Sequence, residues 1–454
     1  MTIQHPSDSN KFTPPPPFSD EDLAQAFLRF HAGRVRYVAL WSRWFIWDDK
    51  RWVPDDILHI FHLSRSICRK AAASCTANEN IARGMASAKT VYAVERLVKT
   101  ERVVAAVTDQ WDCDHWQLNT PAGVVDLRSG YLETPKPEYY ITKTTAVGPG
   151  EGCPEWQRFL KRVTGNDQEL EAYLQRSAGY TLTGSTREQS LEFFYGTGAN
   201  GKSVFLNTLA GIMGDYHRTA PIETFTASNT DRHPTELAAL RGARLVTSVE
   251  TEEGRRWAES RIKMLTGGER ISARYMRGDL FEYTPQLKLI IAGNHKPGLR
   301  NVDEAIRRRL HLVPFAVKIP EKERDPELME KLKAEWPGIL QWMIDGCIEW
   351  QRIGLAPPRA VRETTDAYLE SEDAIASWIS ECCATEPAAW ASSGDLYESW
   401  KGWAERSGEY VGSKKRLSQL LEPRGFHPSR KGGKRCFVGI QVRMITAQPE
   451  RGNP

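Results

Sequence analysis

A glycine-rich loop lies near the middle of the chain, between a short apolar strand and an amphipathic helix. Residues 196–203 read GTGANGKS, which fits the pattern G-x-x-x-x-G-K-[ST]. LEFFY (191–195) precedes the loop, and apolar residues recur with helical spacing from Val204 to Met213, where Gly214 provides a good C-cap. This order of strand, loop and helix predicts an α/β unit whose loop binds phosphate.

The residue types of this loop suit a nucleoside triphosphate. Glycines allow backbone N–H groups to converge on phosphate oxygens, and the N-terminus of the following helix adds positive potential. Lys202 can reach the β- and γ-phosphates, while the Ser203 hydroxyl can ligate Mg²⁺. The alternative is a glycine-rich turn that holds no nucleotide. We expect all eight loop residues to bind ATP: Gly196, Thr197, Gly198, Ala199, Asn200, Gly201, Lys202 and Ser203.

Carboxylates follow the next apolar run. RLVTSV (244–249) has the composition of a buried strand and is followed by Glu250, with Glu252 and Glu253 close behind. Acids at the carboxyl end of such a strand lie beside the phosphate loop, where they hold magnesium and polarise water. We expect Glu250 to ligate the metal and either Glu250 or Glu252 to activate water. Glu253 fits an ordinary exposed acid.

Two further elements complete this series. LKLIIAG (287–293) is a third strand candidate, and Asn294 after it can hydrogen-bond the attacking water or the γ-phosphate, although Asn is also a common turn residue. Three consecutive arginines, at 307–309, then precede an apolar run. Alone they suggest a solvated helix face. Their place after the other elements favours Arg308, with Arg309, as residues that complete the phosphate site of a neighbouring subunit.

Charge is uneven along a chain whose net charge is only +3. Residues 255–309 carry 13 basic and 6 acidic side chains, and residues 401–454 carry 12 basic and 4 acidic ones. Two basic regions suggest two contacts with a polyanion, or simply two solvated faces. Within the first region, apolar residues alternate from Ile271 to Tyr283 around an Arg-Gly-Asp tripeptide, which predicts a β-hairpin with Gly278 at its turn.

Composition excludes several classes of protein. A mean hydropathy of −0.50 and the lack of an apolar run approaching 18 residues argue against a membrane helix and a membrane partner. The N-terminal residues have neither the basic start nor the apolar core of a signal peptide. Eight cysteines without a CxxC pair fit reduced thiols. We therefore expect a cytoplasmic protein.

The remaining segments differ in composition and in hydrophobic pattern. Residues 1–20 contain four consecutive prolines and predict a disordered tail, and FIWDDKRWVPDD (45–56) predicts a short aromatic hairpin in a mixed α+β region over 21–150. The phosphate loop belongs to a unit over 151–355. In 356–454, three helical patterns precede a basic Gly-Gly turn and an apolar strand. That outline suggests a winged helix, with a helical oligomerisation cap as the alternative.

In combination, these strings resemble the superfamily 3 DNA helicases, specifically the module at the C-terminal end of phage and plasmid primase–helicases and their poxvirus-type relatives. The resemblance covers residues 110–345. It rests on six strings. GTGANGKS is similar to the Walker A motif, LVTSVETEEG to the Walker B motif, and IKMLTGGERISARYM to a motif peculiar to this superfamily. KLIIAGNHKP resembles the sensor strand, AIRRRLHLVPF the arginine segment, and LNTPAGVVDLRSGYL the segment that precedes the ATPase.

The resemblance implies an AAA+-like P-loop ATPase core of α/β class that hydrolyses ATP with Mg²⁺ and assembles into a homo-oligomeric ring, a hexamer. In such helicases a hairpin projects into the ring channel and grips one DNA strand, which implies phosphate contacts from Lys263, Arg274 and Arg277. The C-terminal wing would engage duplex or origin DNA through four basic residues: Arg430, Lys431, Lys434 and Arg435.

Two departures from the family pattern affect the interpretation. Many ATPases place two adjacent acids after the Walker B strand, whereas Thr251 separates Glu250 from Glu252 here. Related proteins also often begin with a primase domain. Asp112-x-Asp114 resembles part of a primase metal site, but it lies within the pre-ATPase segment and lacks partner motifs. We therefore expect a helicase without its own primase, which would work with a separate one.

The leading hypothesis is an ATP-driven DNA helicase that serves replication of a phage, prophage or plasmid in a bacterial host cell and acts on single-stranded and forked DNA. The alternative is an ATP-regulated DNA-binding oligomer, a replication regulator or interference protein, that does not unwind. A small-molecule kinase with the same phosphate loop would explain neither the hairpin, the arginines nor the basic tail.

Overall fold

The computed structural model describes residues 14–76, 78–227, 235–249, 255–276, 278–299 and 302–443. The N-terminal region combines helices with two small antiparallel sheets. Its elements, in chain order, are α1 (Asp20–His31), β1 (Val35–Val38), β2 (Arg43–Trp47), β3 (Trp52–Pro54), α2 (His59–Ser74), α3 (Glu79–Met85), α4 (Ala88–Val98), β4 (Gln117–Thr120), β5 (Gly123–Asp126) and β6 (Tyr131–Glu133).

The central region is built on one parallel sheet with helices on both faces. Its elements are α5 (Pro154–Thr164), α6 (Gln168–Leu182), β7 (Leu191–Tyr195), α7 (Lys202–Met213), β8 (His217–Thr219), α8 (Thr235–Ala239), β9 (Leu245–Val249), α9 (Glu259–Thr266), β10 (Ile271–Ala273), β11 (Phe281–Tyr283), β12 (Lys288–Gly293), α10 (Glu304–Arg307), β13 (Leu310–Pro314), α11 (Leu328–Ala334), α12 (Trp336–Ile353) and α13 (Arg359–Ser371).

The C-terminal region consists of three helices and short antiparallel strands. They are α14 (Ala374–Cys382), β14 (Cys383–Ala384), β15 (Trp390–Ser392), α15 (Ser393–Arg406), α16 (Lys414–Leu421), β16 (His427–Lys431), β17 (Lys434–Val438) and β18 (Gln441–Val442). These bounds confirm the three predicted helices, the Gly-Gly turn and the apolar strand. The mixed α/β class and a P-loop-like core are likewise borne out by the parallel sheet of the central region.

The parallel sheet has the order β13-β7-β12-β9-β8. Both of its faces are covered, because side chains that alternate along the strands enter two separate hydrophobic clusters. Phe194 belongs to the cluster formed with α5, α6, α7 and α12. Phe193, its neighbour, belongs to the cluster on the other face, with Trp257. The strand that precedes the glycine-rich loop is therefore buried on both sides, which fixes the starting point of the loop.

Three strands end at the same edge of this sheet. In the parallel register, Tyr195 of β7 pairs with Gly293 of β12, and Ala292 of β12 pairs with Val249 of β9. The residues that follow these three strands therefore lie side by side. The predicted strands at 191–195, 244–249 and 287–293 are confirmed to within one residue at each end.

The N-terminal region is anchored to the parallel sheet by a buried arginine. Arg244, just before β9, donates from Nη1 to the Leu182 carbonyl at 2.7 Å, and from Nη2 to the Asp114 and Gln117 carbonyls, both at 2.9 Å. A buried guanidinium requires such acceptors, because an unpaired buried charge is costly. Arg51 adds a salt bridge to Asp215 after α7. The predicted aromatic hairpin is confirmed as β2–β3.

α13 packs on the parallel sheet, although it lies beyond the boundary expected at residue 356. Thr365 Oγ1 accepts a hydrogen bond from the Leu312 N–H of β13 at 2.9 Å, and Tyr368 lies in the same hydrophobic cluster as Trp257. The separate C-terminal cluster starts at Ile375. By packing, α13 therefore belongs with the central region.

Of the helices that the structure describes, none combines the length and the apolar character that crossing a bilayer requires. The predicted disordered tail lies largely outside the described residues. Within the described part, α1 begins at Asp20, where the Ser19 side chain accepts a hydrogen bond from the Asp22 N–H as an N-cap.

Candidate nucleotide site and DNA-facing surfaces

The glycine-rich loop requires glycine at two positions, because of a positive φ and close packing at Gly201 and because of close packing alone at Gly196. Gly201, which immediately precedes α7, has φ of 86°, and a Cβ there would lie 2.5 Å from Val163 Cγ1. A Cβ on Gly196 would lie 2.2 Å from Asn200 Nδ2 and 2.3 Å from the Phe315 carbonyl oxygen. Packing from both sides therefore excludes any larger side chain at these points.

Lys202 is the first residue of α7 and is buried, with 6% of its surface exposed. Its Nζ donates to the Gly196 carbonyl at 2.6 Å and to Asn294 Oδ1 at 3.1 Å. Burial lowers the pKa of the ammonium group. A cation held by two neutral acceptors at the mouth of a glycine loop is favourably placed for an anion, which would restore its lost solvation.

Asn294 is brought to the loop by the register of the central strands. It follows β12, which lies between β7 and β9, so its amide meets the lysine that follows the adjacent strand. The two side chains therefore lie at the same end of the parallel strands. The three acids Glu250, Glu252 and Glu253 lie outside the described residues; the strand that leads to them, β9, ends at Val249 beside Ala292.

The loop and helix fit a polyphosphate. The N–H groups in the first turn of α7 have no carbonyl partner within the helix, and the Ser203 side chain there is exposed. Gly198 has φ of 94° and open space where a Cβ would be. Asn200 is turned inward instead: it is 4% exposed and donates from Nδ2 to the Phe315 carbonyl at 2.9 Å. Its role is thus to brace the loop.

Lys296 is a cation at this edge that the sequence patterns did not single out. Its Nζ lies 4.1 Å from the ring centroid of Tyr195, the last residue of β7, and 5.7 Å from that of Tyr368 on α13. Such contacts are attractive because the ring face is negative. Nothing in the sequence could have signalled it, since the partners are separated by 101 and 72 positions and meet only through the sheet.

The arginine segment lies at the opposite end of the parallel strands from the glycine loop. The Arg309 carbonyl accepts from the Leu191 N–H at 2.7 Å, at the start of β7, whereas the loop follows the end of that strand. Five residues at about 3.3 Å each separate them by roughly 15 Å. One arginine side chain cannot cover that distance to the phosphate loop of its own chain.

Arg308 and Arg309 differ sharply in environment. Arg308 is exposed and makes one contact of moderate length, from Nη2 to Gln189 Oε1 at 3.1 Å. Arg309 is 6% exposed, and its guanidinium donates to Thr266 Oγ1, the Ala305 carbonyl and Gln189 Oε1 at 2.9–3.3 Å. The two residues were expected to act together. Their burial separates them, because only Arg308 is free to meet another molecule.

The predicted hairpin over residues 271–283 is confirmed as β10 and β11, with Ile271 opposite Tyr283. The Gly278 N–H donates to the Tyr275 carbonyl at 2.9 Å and closes the turn. Arg274 is exposed beside this turn, and Arg277 lies outside the described residues. Lys263, by contrast, is on α9, where its Nζ forms a 2.6 Å salt bridge with Asp303, the N-cap of α10.

The second basic region forms an antiparallel hairpin whose like charges face each other. Arg430 of β16 pairs with Arg435 of β17, and Lys431 pairs with Lys434, all of them exposed. The turn between them, Gly432-Gly433, has φ of 58° and 78°, as a two-residue hairpin loop requires. Like charges directly opposite are destabilising unless a polyanion neutralises them.

In the described part of the chain, no group of three or more His, Cys, Asp or Glu side chains is placed to hold a metal ion. The Asp112 and Asp114 carboxylates have structural partners. Asp112 Oδ1 accepts from the Thr142 N–H at 2.8 Å, and Asp114 Oδ1 accepts from the Trp116 N–H at 2.8 Å. Both acids thus organise turns of the segment before the central sheet.

Family models match two parts of the chain. Residues 24–165 match the family described as D5 N terminal like, and residues 194–309 match a family of unknown function. The first match spans the N-terminal region with both of its small sheets. The second spans the glycine loop, β9, the hairpin, β12 and the arginine segment, so it covers the elements that meet around Lys202.

Viral proteins resemble much of the chain. A protein of Acanthamoeba polyphaga mimivirus named "Putative helicase" is 25% identical over 320 residues, which cover 64% of this chain and 33% of that protein. A protein of Frog virus 3 (isolate Goorha) with the same description is 24% identical over 283 residues, or 56% of this chain and 28% of the viral protein. The chain thus aligns with about a third of the length of these curated relatives.

A solved structure shares the fold over most of its length. The apo structure of the NrS-1 C-terminal region, A form, aligns with 92% of this chain and 98% of its own, with a TM-score of 0.50 and 12% identity. That likeness concerns the fold alone. The family-model match over residues 24–165 and the viral relatives support a likeness to the D5-like primase–helicase family.

Proposed function

We propose that this protein is an ATP-dependent DNA helicase of the ring-forming superfamily 3 type that acts in replication of viral, phage or plasmid DNA. The observation that carries the proposal is the meeting of Lys202 with Asn294 across the ends of two adjacent parallel strands. A phosphate-binding lysine and a sensor amide at one sheet edge are what an ATP-driven motor needs. The viral relatives named as helicases support this choice over other P-loop activities.

ATP with Mg²⁺ would supply the phosphoanhydride bond whose hydrolysis drives movement. In the proposed site, the loop N–H groups bind the phosphates, and the Lys202 ammonium stabilises charge on the transferred phosphoryl group. The Ser203 hydroxyl and Glu250 would hold the metal. Asn294 Oδ1 positions the lysine in the ATP-free state and orients the attacking water, while Glu250 or Glu252 accepts its proton.

The sheet supports hydrolysis shared between subunits. Because Arg308 lies about a strand's length from its own phosphate loop, on the side of the edge strand β13, it is suited to reach the nucleotide of a neighbouring subunit. A closed ring, a hexamer in this proposal, supplies such a neighbour at every interface. Arg309 supports the segment from inside the chain through its three acceptors.

DNA would meet the protein at two places. The hairpin β10–β11 offers Arg274 and Arg277 for sequence-independent phosphate contacts to one strand. We also propose that the C-terminal region is a winged-helix-like domain that follows an AAA+-like core. Its contacts with duplex DNA would come from Arg430, Lys431, Lys434 and Arg435. Lys263 is the weakest of the proposed contacts, because Asp303 neutralises it. The protein would act in the cytoplasm of the host cell, with a separate primase as partner.

Strand displacement tests the proposal. Wild-type protein with ATP and Mg²⁺ should separate a labelled forked duplex, and Lys202→Ala protein should not. The alternative, an ATP-regulated DNA-binding oligomer, predicts DNA-stimulated hydrolysis and DNA-bound assembly with no displaced strand at any protein concentration. Hydrolysis that does not respond to DNA, together with no displacement, would contradict both.

A further inference from the structure

An open groove of about 850 Å³ lies between the N-terminal region and the base of the hairpin β10–β11. We call it the Trp41 groove and define it by Trp41, Arg43, Trp111, Arg218, Arg241 and Tyr275, which all line it. Its walls come from parts of the chain more than 200 residues apart. None of the roles proposed above uses it, although the hairpin forms one wall.

Planar side chains lie in a row of close contacts at one wall. The guanidinium carbon of Arg241 lies 5.2 Å from the ring centroid of Trp41 and 5.1 Å from that of Phe281. Phe281 in turn stacks on Tyr275, with centroids 5.4 Å apart and an interplanar angle of 26°. Tyr275, which ends the stack, is 51% exposed. The groove therefore presents the exposed Tyr275 ring, backed by Phe281 and Arg241, to a ligand.

Positive charge predominates among the side chains that line the groove. The cations are Arg43, Lys143, Arg218, Arg241 and Arg270, and the acids are Asp109, Asp112 and Glu282. Asp112 accepts two hydrogen bonds from Thr142, and Glu282 lies 4.0 Å from Arg270, so five cations against three acids leave a formal balance of +2. Arg43 and Arg218 have exposed side chains. The groove thus combines a stacking surface with an excess of positive charge.

Single-stranded nucleic acid matches both properties at once. A positively charged groove can follow a phosphate backbone, and unstacked bases can lie on aromatic and guanidinium planes regardless of sequence. A duplex would offer only phosphates, because its base faces are covered by their neighbours. An acidic peptide would use the charges but not the stacked planes.

We propose that the Trp41 groove binds a segment of single-stranded DNA, with a base on the exposed Tyr275 ring and phosphates at Arg43, Arg218 and Arg241. This rests on the proposed helicase function and deepens it, because it assigns a role to the aromatic N-terminal region. That region and the hairpin form one continuous surface for the strand. The N-terminal region thereby holds the strand where it reaches the motor.

Equilibrium binding without nucleotide tests the groove independently of hydrolysis. Fluorescence anisotropy of a labelled oligothymidine of about 20 nucleotides gives the Kd of wild type, Arg241→Ala, Arg241→Lys and Arg43→Ala at several salt concentrations. Arg241→Ala should weaken binding roughly tenfold, because it removes a positive charge and the support of the Phe281–Tyr275 pair. Arg241→Lys should also weaken it while preserving the salt dependence. Arg43→Ala should lower the slope of log K against log salt by about 0.7, the value for one phosphate contact on a single strand.

Arg69→Ala, on the exposed face of α2, is the matched control and should bind like wild type. Arg43 is exposed as well, so its variant keeps the test decisive even if Arg241→Ala fails to fold. Wild-type affinity in Arg43→Ala and Arg241→Lys would overturn the proposal, as would loss confined to a duplex of equal length or to an acidic peptide. A wild-type protein that binds oligothymidine through the groove but displaces no strand would contradict the helicase function and leave the groove standing.

Discussion

The environment of the Lys202 ammonium group is unfavourable for its positive charge and would become more favourable with an anionic ligand bound. Its ammonium group is buried, its pKa is lowered by that burial, and its acceptors are a carbonyl and an amide oxygen, neither of them charged. The Gly196 carbonyl belongs to the loop, and Asn294 follows the adjacent strand β12. Substitution therefore removes contacts at the site and leaves the hydrophobic clusters of the sheet untouched.

Lys202→Ala should reduce ATP turnover by about 10²–10³-fold or more, as expected when a donor to developing charge is lost. The thermal midpoint should stay close to that of wild type. Phosphate release under saturating ATP, with calorimetric melting of the same sample, measures both. Lys161→Ala, an exposed lysine on α5, should behave as wild type. Normal turnover in the Lys202 variant would contradict the assignment of the loop.

Glu192 is a buried acid in β7, on the strand that carries the loop. Ser177 Oγ lies 2.7 Å from both of its carboxyl oxygens, and burial raises the pKa of the Glu192 carboxyl to about 7. A neutral carboxyl can donate to the serine through one oxygen and accept through the other, which suits this double contact. At higher pH the group must either stay protonated or bear an uncompensated buried charge.

A raised folded-state pKa stabilises the fold below the unfolded value and loses that contribution as pH rises through the folded value. Wild-type stability should therefore fall between pH 4.5 and about 7. Glu192→Gln keeps the neutral shape without titrating, so it should gain on wild type across that window, by up to about 3 kcal/mol. Urea midpoints at several pH values measure the difference. A constant difference between the two proteins would show that the carboxyl does not titrate there.

At the scale of elements, strands were predictable where apolar runs are long and buried. β7, β9 and β12 are such runs, and both faces of the sheet that contains them are covered. β8, with the sequence HRT, has no apolar pattern because it is an edge strand held by the register of its neighbour. The stack of Trp41 on Arg241 was equally hidden, since it depends on tertiary packing rather than on spacing.

In the basic hairpin β16–β17, one charge reversal should raise the stability of the C-terminal region and weaken its binding to duplex DNA. Arg430→Glu places a carboxylate opposite Arg435, which should stabilise the C-terminal region by about 0.2–1 kcal/mol relative to the like-charge pair. The same change should weaken duplex DNA binding and lower its salt slope by about 1. Melting curves and duplex anisotropy, with Arg69→Glu as a control of equal charge change, test the pair of outcomes. Loss of stability without loss of binding would contradict a DNA role for the hairpin.

At the scale of the whole molecule, each chain carries both halves of the proposed catalytic site, but at opposite ends of the parallel strands. The phosphate loop, with Lys202 and Asn294, occupies one end, and the exposed Arg308 occupies the other. Neither half can complete the other within a chain, because the strand between them is about 15 Å long. The proposed ring would solve this, since it would set the arginine end of one copy against the loop end of the next.

Arg308→Ala protein should bind ATP yet hydrolyse it about 10³–10⁵-fold more slowly, the range for loss of a trans arginine. Its melting temperature should match wild type, whereas Arg309→Ala should melt lower because it removes a buried side chain together with its hydrogen bonds to Thr266, Ala305 and Gln189. Mixing Arg308→Ala with Lys202→Ala should restore part of the activity. Some interfaces in a mixed ring then pair an intact loop with an intact arginine. Mixtures that co-assemble by light scattering but stay inactive would overturn the shared site, because an arginine acting within its own chain, or a monomeric enzyme, allows no such rescue.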